Sequence, residues 1–369
     1  MTDMFASLIC RPPRHSYDVS ELGPSRFRMD GKLFCREDIR LTNSRGHNLQ
    51  CSHYHRESDE DTGYEQEPSP CVVYLHGNCG SRVDADEVVE GLLDRGLAVF
   101  SLDFSGCGLS DGEYVSLGYF EQDDLITALK HLQQDPMTTG VGVWGRSMGS
   151  VAALMVGGSA DYKEAVGCLV VDSPYASLRS LLDDLAHKYV PKVPLVPYDV
   201  VVEATVQSLR EDVSRRASFD LLDVDADTPS RRCVAPALFA HSLHDYLVPI
   251  EHSRRLVESY GGEAHLVELV GDHNSARDLK FLESVYEFLA TNLRMPPPAQ
   301  QPERDEHAEH EPPASTVGAG RQEEGPRVVQ DKAADRQAEA KVEDDPFQIF
   351  KAATDNAQKF FSSLLQFPS

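Results

Sequence analysis

Val141-Gly-Val-Trp-Gly145-Arg-Ser147-Met-Gly149 is a short apolar run that ends in a serine held between two glycines. Its β-branched and aromatic residues suit a buried strand. The run that follows, 148–156, is largely apolar and compatible with a helix. A Gly-x-Ser-x-Gly between strand and helix makes a tight turn that lifts the serine hydroxyl away from the backbone. Glycines at both flanks remove Cβ atoms that would otherwise clash, and the helix N-terminus favours negative charge developing at the turn. Ser147 is therefore the candidate nucleophile.

Apolar runs at 71–75, 97–102, 141–144, 167–171, 237–240 and 265–270 read as strands. Amphipathic stretches ending near 92 and at 120–133, 148–156, 250–260 and 275–293 read as helices between them. This alternation predicts an α/β fold with a mostly parallel central sheet and helices on both faces. Upstream, 32–41 and 48–55 read as strands around the turn Asn43-Ser-Arg-Gly46. Residues 176–232 form a longer polar and helical insertion, broken by Pro191, Pro194 and Pro197, in the position of a lid. The expected organisation is an N-terminal extension at 1–31, a main domain at 32–294, a linker at 295–346 and a C-terminal segment at 347–369.

A serine hydroxyl needs a base to take its proton, and that base needs an acid to orient it. Two strand ends downstream supply them. Residues 237–240 run into His241-Ser-Leu-His-Asp245, and 265–270 run into Gly271-Asp-His273-Asn. Asp245 and His273 are thus the expected acid and base, in the chain order Ser, acid, His. Asp172, at the end of 167–171, is the alternative acid. His244 reads as a loop neighbour, and Asp272 points the wrong way along its turn to orient His273. The oxyanion of a tetrahedral intermediate needs N–H donors, and the backbone amides of Asn78 and Met148 are the expected ones. His76, at the end of 71–75, reads as structural. The segment Asp103-Phe-Ser-Gly106-Cys-Gly108-Leu-Ser110 lacks the lysine of a phosphate-binding loop and the spacing of a dinucleotide fingerprint.

His76-Gly77-Asn78, Asp103…Gly106-x-Gly108-x-Ser110, Gly145-x-Ser147-x-Gly149, Asp245…Val248-Pro249 and Asp272-His273-Asn274 together resemble an α/β-hydrolase, over about residues 70–290. Within that superfamily the chain is similar to the serine-peptidase-like hydrolase-domain proteins, including the protein depalmitoylases. Phe5…Cys10-Arg-Pro-Pro13…Tyr17 adds to that second likeness. The resemblance implies hydrolysis through an acyl-enzyme. Esters or thioesters of a small acyl substrate or an acylated protein are the expected targets, and a peptidase with the same three residues is the alternative. A non-catalytic scaffold is the remaining reading. Those relatives carry a cluster of N-terminal cysteines for lipid attachment, where this chain has Cys10 alone. The three side chains supply nucleophile and base, so no cofactor and no metal is expected.

Among 369 residues, 60 Asp and Glu against 35 Lys and Arg give a net charge of −25. That excess of acid argues against a nucleic-acid partner, which requires basic density. No apolar run reaches the length of a membrane span, the N-terminus lacks the pattern of a signal peptide, and Thr2 stands where myristoylation requires glycine. The 8 cysteines are scattered without CxxC or metal-knuckle spacing. A cytoplasmic protein with reduced thiols is the expectation. Residues 301–346 hold 13 acids and 6 bases with almost no aromatics, a composition too polar to form a core. Beyond them, Ile349, Ala353, Ala357, Phe360, Leu364 and Phe367 recur at helical spacing. This stripe predicts an amphipathic helix that docks on a membrane surface, on a partner or on the enzyme itself.

Overall fold

A computed structural model of the chain describes residues 6–7, 9–189 and 197–293. The linker at 295–346, the C-terminal segment and Pro191 and Pro194 lie outside the described residues. Among the described residues, nine strands form one sheet: β1 (Arg26–Met29), β2 (Lys32–Thr42), β3 (Asn48–Arg56), β4 (Ser69–Leu75), β5 (Ala98–Leu102), β6 (Thr138–Arg146), β7 (Cys168–Asp172), β8 (Ala237–Ser242) and β9 (Ala264–Leu269). Their order across the sheet is β1-β2-β3-β5-β4-β6-β7-β8-β9. The first three are antiparallel neighbours, β3 joins β5 antiparallel, and every pair from β5 to β9 is parallel.

Parallel neighbours need crossover connections, and helices supply them: α1 (Asp86–Asp94), α2 (Glu121–Gln134), α3 (Met148–Gly157), α4 (Leu178–Tyr189), α5 (Tyr198–Ala217), α6 (Asp227–Ser230), α7 (Glu251–Ser259) and α8 (Leu279–Asn292). Successive side chains of a strand point to opposite faces, so the sheet builds two cores. Val73, Leu75 and Val143 pack with Leu125, Leu129, Val151 and Leu154 from α2 and α3. Val72, Tyr74, Trp144 and Val170 pack on the other face with Val88, Leu92, Phe281 and Leu289 from α1 and α8. Both faces are buried, which is why the central strands read as continuous apolar runs rather than as alternations.

The N-terminal segment is more integrated than an extension. Strand β1 pairs with β2 through Arg26↔Cys35 and Phe27↔Phe34. Cys10 is wholly buried in the first core, and its thiol donates to the Ala6 carbonyl at 3.0 Å. Attachment of a lipid there requires this segment to leave its seat. All eight cysteines are free thiols, seven of them buried. Among the described residues no helix is long and apolar enough to cross a membrane.

Candidate active site

The elements β4 to β9 end at one edge of the sheet, and the loops leaving that edge carry the expected functional residues. Strand β6 passes straight into α3, and Ser147 occupies the joint with φ 49° and ψ −113°. A positive φ is costly for a residue with a Cβ and persists only where the surroundings hold it. Here the Ser147 N–H donates to the Asp172 carbonyl at 2.8 Å, and the Ser147 carbonyl accepts the first bonds of the helix. The two glycines leave no room for anything larger. A Cβ on Gly145 would lie 2.4 Å from the Gly149 carbonyl oxygen, and one on Gly149 would lie 2.4 Å from that of Leu75.

The Ser147 hydroxyl oxygen is 3.0 Å from His273 Nε2, and His273 Nδ1 is 2.6 Å from Asp245 Oδ2. The fold therefore brings Ser147, His273 and Asp245 into one hydrogen-bonded chain from three separate loops. Asp245 is held from the other side as well: its Oδ1 accepts the Leu247 and Val248 N–H groups at 2.9 and 2.8 Å. His241 Nε2 lies 3.3 Å from Oδ2 and 2.8 Å from the Val248 carbonyl, while its Nδ1 meets the Ser253 hydroxyl at 2.7 Å. Burial alone would raise the Asp245 carboxyl, but hydrogen bonds from His241, His273 and the Val248 N–H outweigh it. The carboxyl sits well below its ordinary range and is ionised wherever the protein is folded at neutral pH.

Asp172, the alternative acid, has a different partner. Arg277 grips its carboxylate with two bonds of 2.7 and 2.6 Å, and both side chains are buried. Burial pushes the Asp172 carboxyl up, and the adjacent guanidinium more than offsets that. His244 is exposed in the loop. Asp272 turns back on its own segment, where Oδ1 accepts from the Asn274 N–H and the Ser275 hydroxyl at 3.0 and 2.9 Å.

The loop after β4 runs beside the serine, since a Cβ on Gly77 would lie 3.7 Å from that of Ser147. Asn78 follows directly, and Met148 opens α3 on the other side of the serine. His76 fixes this loop from within. It is fully buried, accepts the Phe104 N–H on Nε2 at 3.2 Å and donates from Nδ1 to the Gly77 carbonyl at 2.7 Å. The glycine-rich segment after β5 folds around Asp103, whose carboxylate accepts the Arg82 and Leu109 N–H groups at 2.7 and 2.8 Å and the Tyr17 hydroxyl at 2.8 Å. Gly108 passes so close that a Cβ there would be 2.3 Å from this carboxylate. Asp103 is thus an internal anchor for the loop.

Solved structures share this fold. The Pyrococcus furiosus esterase Pf2001 superposes with a TM-score of 0.55 over 78% of this chain and 99% of its own, at 22% identity. The chain has the α/β-hydrolase fold. The family model for serine aminopeptidase, S33 matches residues 66–220 of this chain, a region that takes in Ser147 and stops before Asp245 and His273. In sequence it is 28% identical to the Bacillus subtilis protein YqkD over 207 residues, 55% of this chain and 64% of that one. It is 22% identical to the Danio rerio lysophosphatidylserine lipase ABHD12 over 200 residues, 52% of this chain and 48% of the relative. The chain thus spans from 48% to 64% of the length of these curated relatives.

Two residues of the site were not singled out in the sequence, His241 and Arg277. His241 precedes Asp245 by four residues in a loop that already attracted attention, and Arg277 follows His273 by the same interval. Neither spacing has meaning outside a helix, and only the meeting of loops gives these side chains their partners.

Proposed function

We propose that the protein is a serine hydrolase of ester or thioester bonds, acting through an acyl-enzyme on a small acyl substrate or an acylated protein. The observation that carries this reading is the hydrogen-bonded chain from Ser147 through His273 to Asp245. His273 takes the Ser147 proton as the oxygen attacks the acyl carbon, and then gives it to the leaving group. Asp245, ionised and fixed by His241 and two backbone amides, holds the imidazole in the tautomer with its lone pair toward Ser147 and stabilises the imidazolium that forms. The backbone N–H groups of Asn78 and Met148 receive the oxyanion, and the positive end of α3 adds to their field. Water activated by His273 then releases the acyl group.

Helices α4 and α5 are the candidate lid. Lys188, near the end of α4, donates to the Tyr246 carbonyl at 2.9 Å in the loop that holds Asp245, which ties this insertion to the catalytic edge. A helical insertion of this size suits a small acyl chain better than a folded polypeptide. The likeness to esterase folds and to a lipase favours acyl esters. The match to the aminopeptidase family model favours the second reading, a peptidase with the same three residues. Docking on a membrane surface or partner through 347–369 belongs to this proposal, as does membership of the depalmitoylase branch.

A fluorophosphonate probe tests the reading. It should label the wild type and not Ser147→Ala. Absence of labelling on folded wild type would instead favour a non-catalytic scaffold. Acyl p-nitrophenyl esters, acyl thioesters and aminoacyl amides then separate the two hydrolytic readings, with turnover of the amides alone pointing to the peptidase.

A further inference from the structure

The antiparallel ribbon of β2 and β3 carries a second cluster of reactive side chains, at the far edge of the sheet from Ser147. Strand β3 runs opposite to β5, with Tyr54 beside Val99, so its end near Arg56 lies where the parallel strands begin. In the β2–β3 register Cys35 faces His55 and Glu37 faces His53. Residues two apart on a strand share a face, as do cross-strand partners, so all four side chains leave the ribbon on one side. Hydrophobic side chains would suffice to hold two strands together, and a thiol, a carboxylate and two imidazoles at adjacent positions call for another account.

Their geometry supplies one. Cys35 Sγ lies alongside the His55 ring, 3.3 Å from Nε2 and 3.6 Å from Nδ1, and Nε2 lies 3.5 Å from Glu37 Oε1. The three ligand atoms are all within 4.8 Å of one another. A tetrahedral zinc ion with ordinary bond lengths sets about 3.5 Å between sulfur and nitrogen ligands and about 3.4 Å between nitrogen and oxygen. His55 Nδ1 is 3.2 Å from the Arg56 carbonyl, and the tautomer that donates to this acceptor leaves Nε2 unprotonated for a ligand bond, which a small turn of the ring would aim at the ion. The Gln66 side-chain amide lies 3.1 Å from the same Nδ1. A groove of about 540 Å³, lined by Glu37, His53, His55, Gln66, His131 and Asp135 among others, gives an ion a path to the cluster.

We propose that Cys35, Glu37 and His55 bind a zinc ion, with a water from the groove as the fourth ligand. Binding replaces the Cys35 proton by the metal and releases it to solvent. The mixed sulfur, nitrogen and oxygen set suits a borderline-soft ion such as zinc rather than magnesium or calcium. The ion would staple β2 to β3 and steady the loop at 57–68 that Gln66 belongs to. The proposal is independent of the reaction at Ser147.

Metal-free full-length protein should take up Zn²⁺ one-to-one in calorimetry, and Co²⁺ in its place should give a thiolate-to-cobalt charge-transfer band. Cys35→Ser and His55→Ala should lose both signals, and Glu37→Gln, at an exposed side chain that leaves the fold intact, should weaken binding. Added zinc should raise the melting temperature of the wild type and not of Cys35→Ser. Folded wild type that binds no zinc stoichiometrically, or gives no thiolate band with cobalt, overturns the proposal. Binding that survives in both ligand variants also overturns it, since the ion would then sit elsewhere, for instance on His307 and His310.

Discussion

Asp245 and Asp172 are two buried carboxylates at neighbouring strand ends, and their partners give them different work. Asp245 faces an imidazole, which can shuttle a proton, and Asp172 faces a guanidinium, which cannot. Asp245→Asn should lower turnover by roughly 10⁴-fold, because the amide favours the wrong His273 tautomer. Single-turnover ester hydrolysis on folded protein measures it, and a loss below tenfold would move the acid elsewhere. Asp172→Asn should act on stability instead. It strands Arg277 in the interior, at a cost of about 3–5 kcal/mol in chemical denaturation. The Asp245 carboxyl also links stability to pH. Its folded pKa is lowered from 3.8, so its contribution is complete above that value and is lost progressively as pH falls from there through the lower folded one. The melting temperature of the wild type should therefore drop more steeply below about pH 4 than that of Asp245→Asn. Parallel curves for the two proteins would contradict the assignment.

At the scale of elements, the turn between β6 and α3 is the most constrained piece of the chain. Gly149→Ala drives a methyl into the backbone of β4, which cannot yield without breaking the sheet. The expected result is loss of several kcal/mol, or of soluble protein, together with loss of probe labelling. A labelled, stable Gly149→Ala protein would show that the turn can relax. The strand and helix alternation behind this turn was readable from composition, because strands buried on both faces must be apolar along their whole length. Strand β1 was not. Its Arg-Phe-Arg-Met sequence alternates weakly and sits on the sheet edge, where only pairing with β2 makes it a strand.

Over the whole molecule, the proposed function gives the apolar stripe at 347–367 the task of meeting a surface. The stripe carries Lys351 and Lys359 against Asp355, so its attraction to anionic lipid is weak, about 1 kcal/mol for each basic residue near the surface. Apolar contact must supply the rest. Full-length protein should therefore float with liposomes even at high salt, and a chain ending at Met295 should not. Equal flotation of both, or of neither, would remove membrane docking from the proposed function, and a lower melting temperature of the shortened chain would favour docking on the enzyme.

The sequence by itself determined the α/β alternation, the serine turn and the positions of Ser147, Asp245 and His273, because each rests on a local pattern: an apolar run, a pair of glycines, a polar residue just past a strand. It also indicated that Asn78 and His76 sit together after β4. Which acid meets His273 was decided only when Arg277 folded onto Asp172, and His241 became a support for Asp245 only when its loop closed around Val248. The same holds for Cys35, Glu37 and His55. Spacing in one chain cannot reveal a cluster whose members are brought together by the register of two strands. Hydrogen bonds and ligand sets act over about 3 Å, and for residues far apart in sequence that distance is set by packing alone.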